Sequence, residues 1–264
     1  MKKTITLILS LVLHWHTAYA QTASDDIVIA TPPFSLQDEV IKKGTRGVNF
    51  GQIVASIIKA KPPVKSEYET KDEFDARRVK WEEKKIYGNI GVGSRVAVIV
   101  PAVTLPFAIF SEALSTEYDA ETEIMKASMQ SGLKCNGVML SEATKPKREY
   151  VASNRFGAKV KVLVVEEKRE CIEFGEGGKL KSAKQEFSFK TQRKSAEDIK
   201  YLLHVAIIGR ISAPYAQVEN SREAPTMRFP VEKDVVTRTL VLDVDSIWLV
   251  NPFSGAVLAK SAMN

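Results

Sequence analysis

Apolar positions recur at helical spacing only in the first third of the chain. Phe50, Ile53, Val54, Ile57 and Ile58 fall at i, i+3, i+4, i+7 and i+8 and make one apolar stripe. Asn49 can cap this helix. Lys61-Pro62-Pro63 ends it, because proline lacks an amide hydrogen and clashes with the preceding turn. A second helix is predicted over residues 71–85, with Thr70 and Glu73 at capping-box spacing. Its apolar residues are Phe74, Ala76, Val79 and Trp81, so it belongs on the outside. Phe74 and Trp81 would hold it there, with Arg77 or Arg78 stacked on Trp81.

From residue 94 the period falls to two, the signature of strands. Residues 95–100 and 107–110 are apolar runs, and residues 115–125 alternate around a turn at Tyr118-Asp119-Ala120-Glu121-Thr122. Val160, Val162 and Val164 alternate with Lys159, Lys161 and Leu163, which predicts a strand with one buried face. The polar run 166–170 reads as a turn into a second strand, 171–174. Gly175-Glu176-Gly177-Gly178 supplies a tight turn, and residues 186–190 return from it. Ser195 and Asp198 start a short helix to about Leu203, and residues 205–211 read as a fully buried strand. Residues 213–230, with Pro214, Pro225 and Pro230, read as a long loop. Residues 235–250 supply one or two strands, and residues 251–255 turn the chain into a hairpin with 256–260. The predicted class is α+β, a helical N-terminal third docked on a β-rich, mainly antiparallel body. It divides into a flexible or loosely docked arm (21–46), a helical segment (47–90) and a β-rich domain (91–264).

Residues 1–20 stand apart from this pattern. Met1-Lys2-Lys3 is a positive start, residues 5–13 are apolar, and Ala18-Tyr19-Ala20 is a small-x-small cleavage site. This is the pattern of a signal peptide cleaved after Ala20, and it predicts a periplasmic or extracellular protein. Losing Lys2 and Lys3 lowers the formal charge from +6 to +4. Losing His14 and His16 leaves His204 alone, which excludes sites that need two histidine ligands. The longest later apolar stretch, 96–110, is broken by Pro101 and Pro106, so no integral membrane span is expected after the signal peptide.

The candidate chemistry is sparse. Cys135 and Cys171 are the only cysteines, and in an oxidising compartment two thiols predict one disulfide. His204 lies between apolar residues with no nucleophile motif nearby, which predicts a core or rim histidine. Asp119/Glu121/Glu123 and Asp243/Asp245 could each share a strand face, as two-carboxylate catalysis needs and as any solvent-facing strand also shows. Gly88-Asn89-Ile90-Gly91-Val92-Gly93 follows a helix and precedes a strand, the reverse of a nucleotide loop, so it reads as a linker. Lys179, Lys181, Lys184, Lys190, Arg193, Lys194 and Lys200 could make weak contact with an anionic surface or protect a strand edge. Export and the low charge argue against nucleic acid. No catalytic, cofactor-binding or metal-binding residue is assigned, and no cofactor is expected.

Two segments resemble parts of uncharacterised exported bacterial proteins, over about a tenth of the chain. Residues 67–77, Glu67-Tyr68-Glu69-Thr70-Lys71-Asp72-Glu73-Phe74-Asp75-Ala76-Arg77, are similar to an acidic-aromatic helix start. Residues 150–160 resemble a turn and strand in which Asn154 and Gly157 suit φ > 0 and Phe156 would anchor the turn in the core. The resemblance implies no activity. The expectation is a non-enzymatic binding or assembly module of the bacterial envelope that contacts another envelope protein. Phe74, Arg77, Arg78, Trp81, Trp248 and Phe253 are its candidate contacts. The alternatives are a carboxylate-dependent hydrolase of an envelope polymer and a periplasmic immunity or inhibitor protein.

Overall fold

A computed structural model describes residues 35–102, 114–130, 135, 137–175 and 184–262. The signal peptide with its cleavage bond, the strand at 107–110 and the turn beyond Gly175 lie outside the described residues.

The first two helices begin where the spacing predicts them, but the second ends at Glu82 rather than at 85, where a strand starts instead. In α1 (Phe50–Lys59), Asn49 accepts the Gln52 amide at 3.0 Å, and Phe50, Ile53, Val54 and Ile57 are buried. In α2 (Lys71–Glu82) the capping box is complete, with the Glu73 amide donating to Thr70 Oγ1 and the Thr70 amide to Glu73 Oε2. Trp81 is its one buried side chain. The indole donates to Ala60 O at 3.1 Å and its ring centroid lies 5.0 Å from that of Tyr215. Tyr215 takes the place predicted for an arginine, and Arg77 lies over Phe74 instead.

The expectation of a helical N-terminal third is overturned. The chain is β-rich and has no helical N-terminal domain among the described residues, only two short helices of 10 and 12 residues before residue 90. The reason is area: α2 is charged on most sides, and the single apolar stripe of α1 cannot bury a helical layer by itself. Both helices instead pack against strands. The glycine-rich segment is likewise more than a linker. It supplies the turn and second strand of a small hairpin, β1 (Lys85–Tyr87) and β2 (Ile90–Gly91), and Ile90 and Val92 enter the main core.

Among the described residues, six strands make the principal sheet. Its order is β3 (Arg95–Pro101), β9 (His204–Glu223), β10 (Val231–Asn251), β7 (Lys159–Phe174) and β6 (Gly137–Ser153), with β11 (Ala256–Ala262) also on β10. Its pairings are antiparallel except that of β7 with β10, which runs parallel from Val231↔Leu163 to Leu242↔Phe174. A second sheet joins β4 (Leu114–Asp119), β5 (Ile124–Gln130) and β8 (Lys184–Lys190). Its inner residues Met125, Ala127, Met129, Phe187 and Phe189 share one core with α1, Trp81 and the inner face of the principal sheet. The helix α3 (Arg193–Leu202) starts two residues before the predicted Ser195 and adds Ala196 to that core.

Three strand expectations change. Residues 166–170 are not a turn, because β7 is continuous through them. β8 does not return along β7; it pairs with β5. Residues 213–223 are not loop but the second half of β9.

The opposite face of the principal sheet carries a smaller core of Ile41, Ala97, Ala206, Ile208, Trp248 and Val250. Residues 35–48 cover it. Val48 donates its amide to Ala97 O at 3.0 Å, Ile41 to Gly255 O at 2.8 Å and Val257 to Glu39 O at 3.2 Å. This part of the predicted arm is therefore docked.

Candidate interaction surface

The long strands outrun both cores. Ser141 to Ser153 of β6, Lys159 to Glu170 of β7, Gln217 to Glu223 of β9 and the first third of β10 contribute nothing to either core cluster. These stretches form a four-stranded blade, one sheet thick, with order β9-β10-β7-β6. At roughly 3.3 Å per residue, its parallel pairing from Val231↔Leu163 to Arg238↔Glu170 runs about 26 Å.

Alternation sends successive side chains to opposite faces, and ion pairs cover both. On one face Lys147 meets Asp234 at 3.1 Å and Glu166 at 3.3 Å, Lys168 meets Glu166 at 2.9 Å, and Tyr150 donates to Glu232 at 2.8 Å. On the other, Lys233 reaches Glu167 at 2.9 Å and Glu223 at 3.6 Å, and Arg169 pairs with Glu167, Glu142 and Glu223. Val162, Val164, Val165 and Val235 are buried beneath these side chains.

The Glu167 side chain is only 3% exposed. Burial pushes its carboxyl up, but hydrogen bonds from Lys233 and Arg169 and the Arg169 charge outweigh burial and hold it at about 2. Hydrogen bonds from Lys168 and Lys147 also lower Glu166.

The blade's two long edges differ. The outer edge of β6 is interrupted by Pro146 and by register shifts after Met139 and after Pro146, devices that discourage edge pairing. The outer edge of β9 has neither between Ala216 and Glu223, which pair with β10 in unbroken register. β3 covers β9 only from His204 to Arg210, and no backbone group among the described residues bonds the outer edge beyond Ile211.

The residues singled out from the sequence lie elsewhere. Trp81 and Trp248 are buried in different cores on opposite faces of the principal sheet, so neither offers a surface. Trp248 donates to Ser246 Oγ at 2.8 Å, with Lys260 over its ring. Arg77 is held by Glu69 at 2.7 Å and Arg78 by Asp75 at 3.2 Å, while Phe74 is half-buried. Phe253 is exposed on the β10–β11 turn, edge-on to His204, which contacts Leu202 O through Nδ1 at 3.1 Å. Cys135 and Cys171 form a disulfide. Of the basic stretch, Lys179 and Lys181 lie outside the described residues. Lys184 and Lys190 stand at the two ends of β8, and Arg193 and Lys194 are exposed at the start of α3.

Two of the candidate carboxylates serve the fold. Asp119 accepts the Thr122 hydroxyl and the Glu121 and Thr122 amides, which lowers its pKa and closes the β4–β5 turn. Asp245 is held by Arg95 at 2.7 Å. Asp243 lines a polar cleft of about 770 Å³ with Arg78, Glu82, Arg210 and Ser212. Burial and the hydrogen bond it donates to Glu82 push the nearby Tyr215 phenol up.

Phe156 does not anchor its turn in the core; it is 79% exposed. The turn is closed instead by Asn154 Oδ1, which accepts the amides of Phe156 and Ala158, with Gly157 at φ +80°. The β9 edge is hidden in the sequence by Pro214 and Pro225, which make its residues read as loop. No family model, curated protein or solved structure matches the chain.

Proposed function

We propose that the chain is an exported, non-enzymatic binding or assembly module that meets another envelope protein along the outer edge of β9. The observation that carries this reading is the asymmetry of the blade: one edge is broken by proline and bulges, and the other presents eight residues, Ala216 to Glu223, in unbroken register. Such an edge can accept an extended segment of a partner through main-chain hydrogen bonds. The signal-peptide pattern of residues 1–20 supports export, and the Cys135–Cys171 disulfide is compatible with it. No described helix is long and apolar enough to cross a membrane. Of the carboxylates that a hydrolase would need, Asp119 is engaged in a turn and Asp245 in an ion pair, which leaves Asp243 without its neighbour on the strand as a free second carboxylate.

The test places a photo-crosslinker at Val218, with Thr144 on the bulged edge as the control. A heterologous adduct is expected at Val218 and not at Thr144. Glu219→Pro and Asn220→Pro are made separately in the crosslinker-bearing chain, because alternate residues donate outward. The proline at the outward-donating position should abolish the adduct and leave the melting temperature unchanged. Equal adducts at both edges, an adduct of this chain with itself, or persistence in both proline variants would overturn the reading.

A further inference from the structure

Both turns of the blade face the same end. The turn at 154–158 leads into β7, the turn at 224–230 leads into β10, and those two strands are parallel neighbours. The Leu163 amide donates to Pro230 O at 3.0 Å, which ties the second turn to the side of the first strand. Each turn carries an exposed phenylalanine: Phe156, and Phe229, which is 66% exposed with Met227 beside it. Each phenylalanine lies under an arginine, Arg155 at 4.8 Å and Arg228 at 5.4 Å from the ring centroid.

The charge at this end is uneven. Its carboxylates are already paired, Glu149 with Lys161, Glu232 with Arg222, and Glu223 with Arg169 and Lys233. Arg155, Lys159 and Arg228 are exposed and have no carboxylate partner among the described residues. Apolar rings at the tips, flanked by cations that no carboxylate neutralises, match the boundary between anionic headgroups and acyl chains.

We propose that the tip of the blade docks on an anionic lipid bilayer, with Phe156, Met227 and Phe229 at the acyl boundary and Arg155, Lys159 and Arg228 on the headgroups. This rests on the turns and not on the β9 edge, so it stands or falls apart from the protein-partner reading.

The test is co-sedimentation of the full chain with vesicles of phosphatidylcholine alone and of phosphatidylcholine with phosphatidylglycerol. Binding is expected only to the anionic vesicles and should fall as salt rises. Arg155→Gln and Arg228→Gln should each weaken it about fivefold, from roughly 1 kcal/mol per surface cation. The double variant Phe156→Ser with Phe229→Ser should lose binding with an unchanged melting temperature, since neither ring belongs to a core. No sedimentation with anionic vesicles at low salt, equal binding to neutral vesicles, or full binding by the double variant would overturn the proposal.

Discussion

Glu167 is a charge kept where water hardly reaches, and its neighbours decide the outcome. Burial opposes ionisation, yet hydrogen bonds from Lys233 and Arg169 hold the carboxyl at about 2. A folded-state pKa below the unfolded value of 4.5 means that the ionised form stabilises the fold above that value. The contribution is lost as pH falls from about 4.5 towards 2. Urea midpoints measured across this window should drop with acid, and Glu167→Gln should flatten that dependence while lowering stability at neutral pH. Glu166 and Asp119 shift in the same direction and add to the slope. None of this is legible from residues 166–170, because a run of charges looks the same whether it faces water or pairs across strands.

The element scale shows where local patterning suffices. Asn49 before α1 and the Thr70/Glu73 pair before α2 are signals carried within four residues, and both helices begin where they predict. The disulfide is legible for a different reason: with two cysteines there is one possible pairing. It joins residues 36 apart and ties the chain just before β6 to the C-terminal part of the neighbouring strand β7. In the chain-entropy model, closing such a loop stabilises by roughly 4 kcal/mol. The double variant Cys135→Ser with Cys171→Ser should therefore lose stability of about that size in urea titrations, and reductant should have no further effect on it.

At the scale of the whole molecule, the principal sheet is covered on both faces only where it holds the two cores. Residues 35–48 close the smaller one, and Gly47 lets them approach: a Cβ there would collide with the Ile99 backbone nitrogen. Gly47→Ala should loosen this segment, which limited proteolysis would detect as new cleavage within 35–48 together with a lower melting temperature. The rest of the sheet leaves the cores as the blade, and both proposed contacts, edge and tip, belong to it.

The starts of α1 and α2, the hairpin at residues 251–255 and the cysteine pairing follow from the chain's own local order, because each depends on neighbours a few residues away or on a count of one. The partner of β8, the continuity of β7 through its charged run and the exposure of Phe156 depend on strands distant in sequence. Only the tertiary structure decides them, because a strand's pattern says which face it buries and not which strand lies beside it.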